Sequence, residues 1–428
     1  MAARPKEKNI ILLVDVPTSP ALSTLEQVKK SKRGKFKFML LYSSKKWKGK
    51  ENKNVLEKFD IVKSCNFNSP NSIMDTLSPY REEFLCVYTR AESQVENFQK
   101  IIPHVPYLRT PTTESLEWSI NKYKMRRRFY AYDKKITPKF LLVKDQKKTT
   151  IKDIEKKVGF PMIIKPTGLA QSILVSKAYH EKELQDILKV IFKKLDKAYK
   201  ESLGRGEPSV LVEQFVEGTM YSIDGYINSR GKVYFCPPVV IKTGKEIGFD
   251  DFFGYQQMTP TQLTKASINL AEKVTDKGVK ALGLRSTSFH AELIKNDKGF
   301  KIVEIGPRIG GFRHDLYEMS YGINHRANAA LITIPLKPEI PKRLKGYSAA
   351  FKVFAKKEGE IKGITGIKKI QDLKSLKSLS INKRIGDRAR FAKNGGKSVF
   401  NVLMHNKEKS KLLADIRRME ETIKIEIK

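Results

Sequence analysis

Residues 286–312, STSFHAELIKNDKGFKIVEIGPRIGGF, read as two strands joined by a tight turn, and they carry a pair of carboxylates, Glu292 and Glu304. The turn is Asn296-Asp297-Lys298-Gly299, in which Gly299 is free to take a left-handed conformation. A three-residue loop of Asp297, Lys298 and Gly299 pairs Asn296 with Phe300, and counting back in that register sets Glu292 directly opposite Glu304. Two like charges across a ladder, with Cβ atoms roughly 5 Å apart, destabilise it unless something positive lies between them. A divalent cation held by oxygen ligands meets that need. A pair on the solvated face of an ordinary hairpin is the alternative, and the hairpin alone leaves both open.

Working outward, residues 261–282 read as the helix that leads into the hairpin, and residues 315–332 as one that follows it. Residues 161–165 form a buried strand in which Lys165 directly follows Met162-Ile163-Ile164 and precedes Pro166, so its ammonium either snorkels out or holds an anion. A turn rich in small residues follows, Thr167-Gly168-Leu169-Ala170-Gln171-Ser172, of a kind that cradles phosphates through backbone N–H groups or simply reverses a hairpin. Residues 173–176 read as its return strand. A long amphipathic helix spans 180–203, and residues 209–213 are another buried strand, ending in Glu213-Gln214-Phe215-Val216-Glu217-Gly218. Thr150 and Asp153 form a capping box before a short helix at 150–158.

A helix begins near Thr113 with Glu114 and Glu117 in its first turn and runs on into the basic segment 121–128, an order that suits the helix dipole. Lys122 lies in that segment and offers a cation to a phosphate. Residues 1–108 alternate strands and helices, at 10–16, 22–30, 36–42, 60–63, 84–88 and 93–102. This rhythm implies an open, mostly parallel sheet. No Gly-x-Gly-x-x-Gly follows the first strand, which excludes the usual dinucleotide fingerprint. Residues 237–260 have no clear pattern and are expected to form a substrate loop. Pro335, Pro338 and Pro341 mark a boundary before a Lys-rich end with strands near 348–355 and 398–404 and a helix near 408–422.

The chain has 428 residues, enough for two or three cores. Its three cysteines, Cys65, Cys86 and Cys236, are scattered, which excludes a disulfide framework or a zinc cluster and points to a reducing, cytoplasmic compartment. Arg4, Lys6 and Lys8 before the apolar run 10–14 resemble a signal peptide, but Asp15 ends the run too early. No apolar run approaches the roughly 18–20 residues of a membrane helix. Lysine and arginine number 83 against 46 acidic residues, a net charge of +37 that attracts anions in general. The lysines are spread as on a solvated surface and nothing resembles a recognition module, so nucleic acid is not the expected partner.

The order Lys122, Lys165-Pro166, small-residue turn, Glu213 to Gly218, then Glu292 and Glu304 followed by Pro307-Arg308 resembles the ATP-grasp superfamily. The resemblance covers residues 121–334, and the flanks look like those of its carboxylate-amine ligase branch, including the L-amino-acid ligases. It implies an α/β ATP-grasp fold with an N-terminal open parallel-sheet domain at 1–108, an ATP-grasp domain at 109–335 with a lid at about 137–216, and a small C-terminal α/β lobe at 336–428. It implies ATP and Mg2+, with Mn2+ as an alternative ion. Lys122 and Lys165, with Ser172 in the loop, are matched to phosphate binding, and Glu213, Phe215 and Val216 to the adenine hinge. Glu292 and Glu304 are matched to the metal ligands, and Arg308 to the arginine that steadies the transferred phosphoryl group.

The activity implied is ligation of a carboxylate to an amine through an acyl phosphate, on an amino acid or small peptide. A nucleotide or metabolite precursor as substrate, and a degenerate scaffold that binds an acidic partner, are the alternatives. The absence of an Ala-Met-Lys-Met type segment argues against a biotin-dependent carboxylase. Arg313 and the N–H groups that begin the helix after the hairpin are expected to bind a substrate carboxylate, with Asp315 as a competing helix cap. His290, on the face of Glu292, reads as a core histidine or as part of the site. Three positions depart from the pattern: Gly306 stands where many members have a metal-binding Asn, Met220 where a ribose-binding Glu is common, and Ile173 where a glycine often follows the serine. The expected partners are small molecules, with a homo-oligomer admitted and no membrane.

Overall fold

The computed structural model describes residues 7–47, 52–145, 149–202, 204–334 and 336–428. Arg4, Lys6, Leu203 and Pro335 lie outside them. The first sheet is parallel, with strands β1 (Ile10–Val14), β2 (Lys37–Ser43), β3 (Ile61–Cys65) and β4 (Phe84–Tyr88) in the order β3-β2-β1-β4. Every residue of IILLV in β1 is buried, as expected for a parallel strand covered on both faces. The helix Ser19–Lys30 covers one face, joined from much later in the chain by Ala327, Ala330 and Leu331, and the helices Pro70–Leu77, Val95–Ile101 and Thr113–Ile120 cover the other.

A four-stranded antiparallel sheet follows: β5 (Phe140–Val143), β6 (Met162–Pro166), β7 (Ser176–Ala178) and β8 (Val210–Gln214), ordered β5-β8-β6-β7. The helix Glu181–Glu201 covers it with Leu184, Leu188, Ile191, Leu195 and Tyr199, a single stripe at helical spacing. Thr150 and Asp153 form the expected capping box.

The remaining strands include β9 (Thr219–Ile227), β10 (Val233–Phe235), β11 (Val239–Thr243), β12 (Gly254–Thr259), β13 (Thr287–Asn296), β14 (Gly299–Gly306), β15 (Tyr347–Val353), β16 (Gly359–Thr365), β17 (Leu376–Ile381), β18 (Arg388–Ala389) and β19 (Phe400–Asn406). Most form one sheet in the order β14-β13-β9-β11-β12-β15-β19-β17, with β10 beside β9. Residues 237–260 therefore hold two strands, β11 and β12, and only the stretch between them is loop. In β12, Tyr255, Gln257 and Thr259 alternate inward; two of the three carry polar groups, which hides the pattern in the sequence. Strand β12 also carries the sheet across to β15.

Two helices read as continuous are broken. Asn121 ends the helix Thr113–Ile120 and caps the helix Lys122–Asp133, its side chain accepting from the Lys124 N–H at 3.0 Å. The basic residues thus begin a helix instead of ending one, against the dipole argument made for a single helix. Gly322, at φ 75°, closes the helix Arg313–Tyr321 before His325–Leu331 begins. Among the described residues no helix is long and apolar enough to cross a membrane.

Candidate active site

In β13 and β14, Glu292 stands opposite Glu304, as the sequence predicts, by a different route. The turn is one residue tighter than expected, with Asn296 paired to Gly299. A bulge between Leu293 and Glu292, with Val303 as the extra residue, restores the register. The bulge has a buried cause. Arg126, 1% exposed, donates from Nη1 to the Ile302 carbonyl at 3.1 Å and from Nη2 to the Val303 carbonyl at 2.6 Å.

The rest of the Arg126 guanidinium grips Glu213, Nε to Oε1 at 2.6 Å and Nη2 to Oε2 at 3.2 Å. Lys165 Nζ reaches the same carboxylate at 2.7 Å. All three residues are buried. Burial pushes the Glu213 carboxyl up, yet Arg126 and Lys165 outweigh it and bring it down to about 2. Burial, with Arg126 and Lys122, lowers the Lys165 pKa against the pull of Glu213. The carboxylate of Glu213 is thus committed inside the protein; next to it, the Phe215 N–H donates to the Pro161 carbonyl at 2.9 Å and the Phe215 ring lies 3.4 Å from Lys177 Nζ. Phe215 and Val216 are both half-buried.

Lys122 begins its helix next to the small-residue turn, its Nζ donating to the Leu169 carbonyl at 2.6 Å and lying 3.8 Å from Glu304 Oε2. In that turn Gln171, Ser172 and Leu174 hold φ of 61°, 60° and 57°, backbone strain of a kind concentrated at ligand clamps. The turn is tied to the C-terminal region by the Leu174 N–H, which donates to the Lys393 carbonyl at 2.9 Å. Residues 173–175 therefore belong to the turn, and β7 begins only at Ser176.

Glu292 and Glu304 are 24% and 30% exposed, open to a ligand on one side. Burial raises the Glu292 carboxyl, but His290, Arg308 and Arg313 together hold it below the ordinary carboxylate range. His290 Nε2 lies 3.4 Å from Glu292 Oε1, and its Nδ1 is 2.6 Å from Asp224 Oδ1. Asp224, fully buried, also faces His325 Nε2 at 3.0 Å and accepts the Gly310 N–H at 2.6 Å. A side chain at 310 would strike His290 Nδ1 at 2.5 Å, so glycine lets the turn after β14 close over the histidine. His290 is thus both buried and part of the site.

Arg308 is oriented by Glu92 of the N-terminal region, Nε to Oε2 at 3.1 Å with Nη2 on the same oxygen, while Arg205 Nη1 takes Oε1 at 2.9 Å. Burial alone would raise the Glu92 carboxyl; Arg308 and Arg205 hold it well below its ordinary value. Arg313 is 2% exposed, and its guanidinium faces inward. It donates to Ser222 Oγ at 3.0 and 2.7 Å, to the Gly311 carbonyl at 3.1 Å and to Gln257 Oε1. The sequence expectation is that Arg313 meets a substrate carboxylate; in the fold its donors point to protein groups of two strands, β9 and β12, and of the turn at Gly311. Asp315 lies in the first turn of the helix and faces His314 at 3.0 Å.

Two hard carboxylates side by side suit a small cation that keeps most of its shell as water and phosphate oxygens. Among the described residues there is no group of three or more histidines, cysteines and acidic residues placed to hold a metal ion. Sequence reasoning missed Arg126, Glu92, Arg205 and Asp224. Only Arg126 had a visible signal, an arginine on the buried face four residues after Lys122.

Residues 158–315 match the ATP-grasp domain family. The chain is 31% identical over 137 residues to the D-alanine--D-alanine ligase of Flavobacterium johnsoniae, over 30% of this chain and 36% of that protein. It is 27% identical over 165 residues to the D-alanine--D-alanine ligase of Christiangramia forsetii, over 37% of this chain and 45% of that protein. It thus spans less than half the length of these curated relatives. Among solved structures, the L-amino acid ligase from Bacillus licheniformis superposes with a TM-score of 0.74 at 18% identity, over 99% of this chain and all of that one. The match over residues 158–315 and this structural likeness agree that the chain adopts the ATP-grasp fold.

Proposed function

We propose that this protein is an ATP- and Mg2+-dependent carboxylate-amine ligase that works through an acyl phosphate, on an amino acid or small peptide. The observation that carries the reading is Glu292 opposite Glu304 with Lys122 beside them and Arg308 just beyond. The names of the relatives, amino-acid ligases among them, support it. Glu292 and Glu304 would hold Mg2+, which would supply the positive charge that lets an anionic nucleophile approach a triphosphate. Lys122 and Lys165 hold the phosphate oxygens. The substrate carboxylate forms an O–P bond to the γ-phosphorus as the bond to ADP breaks, its electrons leaving with ADP. The amine nitrogen then attacks the acyl carbon and loses a proton; the C–N bond forms, and the C–O bond breaks with its electrons leaving on phosphate. Arg308, held by Glu92, faces the charge that develops in both steps. Mn2+ is expected to replace Mg2+ at such oxygen ligands.

The test is phosphate release from ATP with a pool of the twenty amino acids, followed by mass spectrometry of the products. Release above the ATP-only background, dependent on Mg2+, and products that weigh the sum of two substrates less one water are expected. A degenerate scaffold, suggested by Gly306 and Met220, predicts background release in every mixture. Gly306 supplies a second check. A Cβ there meets Arg308 at 3.8 Å, an ordinary contact, so asparagine fits. Gly306→Asn should add an oxygen ligand of about 1 kcal/mol and lower the Mg2+ concentration for half-maximal release roughly fivefold. An unchanged requirement would place the ion away from this end of β14.

A further inference from the structure

One cation at this site is used by nothing described so far. Directly opposed residues of a sheet share a face, as do alternate residues of a strand. Glu292 opposes Ser222; two residues along β9, Met220 opposes Ile241, which opposes Gln257, which opposes Ala350. Two residues along β15 is Lys352, which therefore lies on the same face as the paired carboxylates, although it comes from the C-terminal part of the chain. Its side chain is half-buried, and its ammonium makes no hydrogen bond or ion pair with any described residue. Its nearest aromatic surface is Phe312, whose ring centroid is 5.9 Å away. Phe312 itself sits at φ 60°, a left-handed conformation that a bulky residue adopts only under constraint.

Burial lowers the Lys352 pKa; Arg313 and Arg308 push the same way and Glu292 opposes them, so all three groups lie within electrostatic reach. Neither arginine is left for a second anion: Arg308 is held by Glu92 and assigned to the reacting group, and Arg313 is held by Ser222 and Gln257. An unpaired ammonium within reach of two other cations and half-sheltered from water is costly unless an anion joins it.

We propose that Lys352 anchors a second anionic group of the substrate, remote from the carboxylate that is activated, and so selects amines that keep a free carboxylate or phosphoryl group. The inference rests on the ligase reading above. It is tested by ATP-dependent phosphate release with N-acetyl amino acids as the carboxylate source. Three sets of amines are supplied: the amino acids, their amides, and phosphoethanolamine beside ethanolamine. Lys352→Met should raise KM for the anionic amine roughly 10- to 100-fold, the loss of one charge-assisted contact, and leave KM for its uncharged counterpart unchanged. Lys352→Arg should restore most of the loss. Whether the amino acids or phosphoethanolamine respond identifies the anion. Equal KM values for wild type and Lys352→Met, or equal losses for charged and uncharged amines, overturn the assignment; Lys352→Gln serves if the methionine variant does not fold. No release by the wild type with any amine, either with the N-acetyl amino acids or with the free amino acids as carboxylate source, overturns the ligase reading and this inference with it.

Discussion

Replacing Glu304 by glutamine is expected to cut Mg2+-dependent phosphate release by roughly 100-fold or more while leaving the fold intact. Glutamine keeps the shape of the side chain and one carbonyl oxygen, but removes the charge that attracts the ion. It also removes the repulsion from Glu292 across the ladder, which compensates for the lost attraction to Lys122 at 3.8 Å. Because Glu304 is 30% exposed, no buried charge is left unpaired, and the thermal unfolding midpoint should stay at the wild-type value. The measurement is initial-rate phosphate release over a series of Mg2+ concentrations. Full activity in Glu304→Gln would mean that the ion, and with it the triphosphate, is held elsewhere.

The opposite profile is expected at Glu213, where stability is the larger effect. Glu213→Ala leaves Arg126 and Lys165 facing each other in a buried site without their shared carboxylate. Breaking a buried pair in this way costs about 3–5 kcal/mol. It also frees the guanidinium that holds the Ile302 and Val303 carbonyls, so the bulge that aligns Glu292 with Glu304 loses its support. The expected result is a large drop in the urea midpoint, with metal-dependent activity falling in whatever protein remains folded. A pH series adds an independent check. The folded carboxyl titrates at about 2, below its ordinary value of 4.5. Its contribution is therefore complete above about pH 4.5 and is lost as the pH falls from there towards 2. Glu213→Gln should lack that part of the acid sensitivity. A variant with wild-type midpoint and wild-type acid profile would show that the triad contributes nothing.

The two residues differ in how they reveal themselves. Glu304 belongs to a hairpin, where strand alternation and turn length place partners by counting. Even so, the count succeeded through two offsetting differences, a tighter turn and a bulge, and the bulge depends on Arg126, far away in sequence. Glu213 ends a buried strand, and its position was legible, but the direction of its carboxylate was not. The resemblance matched it to the adenine edge; in the fold its carboxylate is held by Arg126 and Lys165. The direction of Arg313 was hidden in the same way: its guanidinium is held by β9, β12 and the turn at Gly311. The helix breaks at Asn121 and Gly322 had local signals, a capping residue and a glycine, which periodicity over a longer window concealed. Residues 237–260 were missed because a strand that buries glutamine and threonine lacks apolar alternation.

Local chemistry along the chain was enough to establish the parallel N-terminal sheet, the capped helices, the carboxylate hairpin and the lysine that ends a buried strand. These follow from periods of two and 3.6 residues, which need only near neighbours. The orientation of the charged groups came from tertiary structure alone. Arg126 meets Glu213 across 87 residues, and Arg308 meets Glu92 across 216. Lys352 joins the face of Glu292 only because β12 and β15 extend the sheet. A charge in a low-dielectric interior turns to whichever opposite charge folding brings near it, and no spacing in the sequence specifies that neighbour.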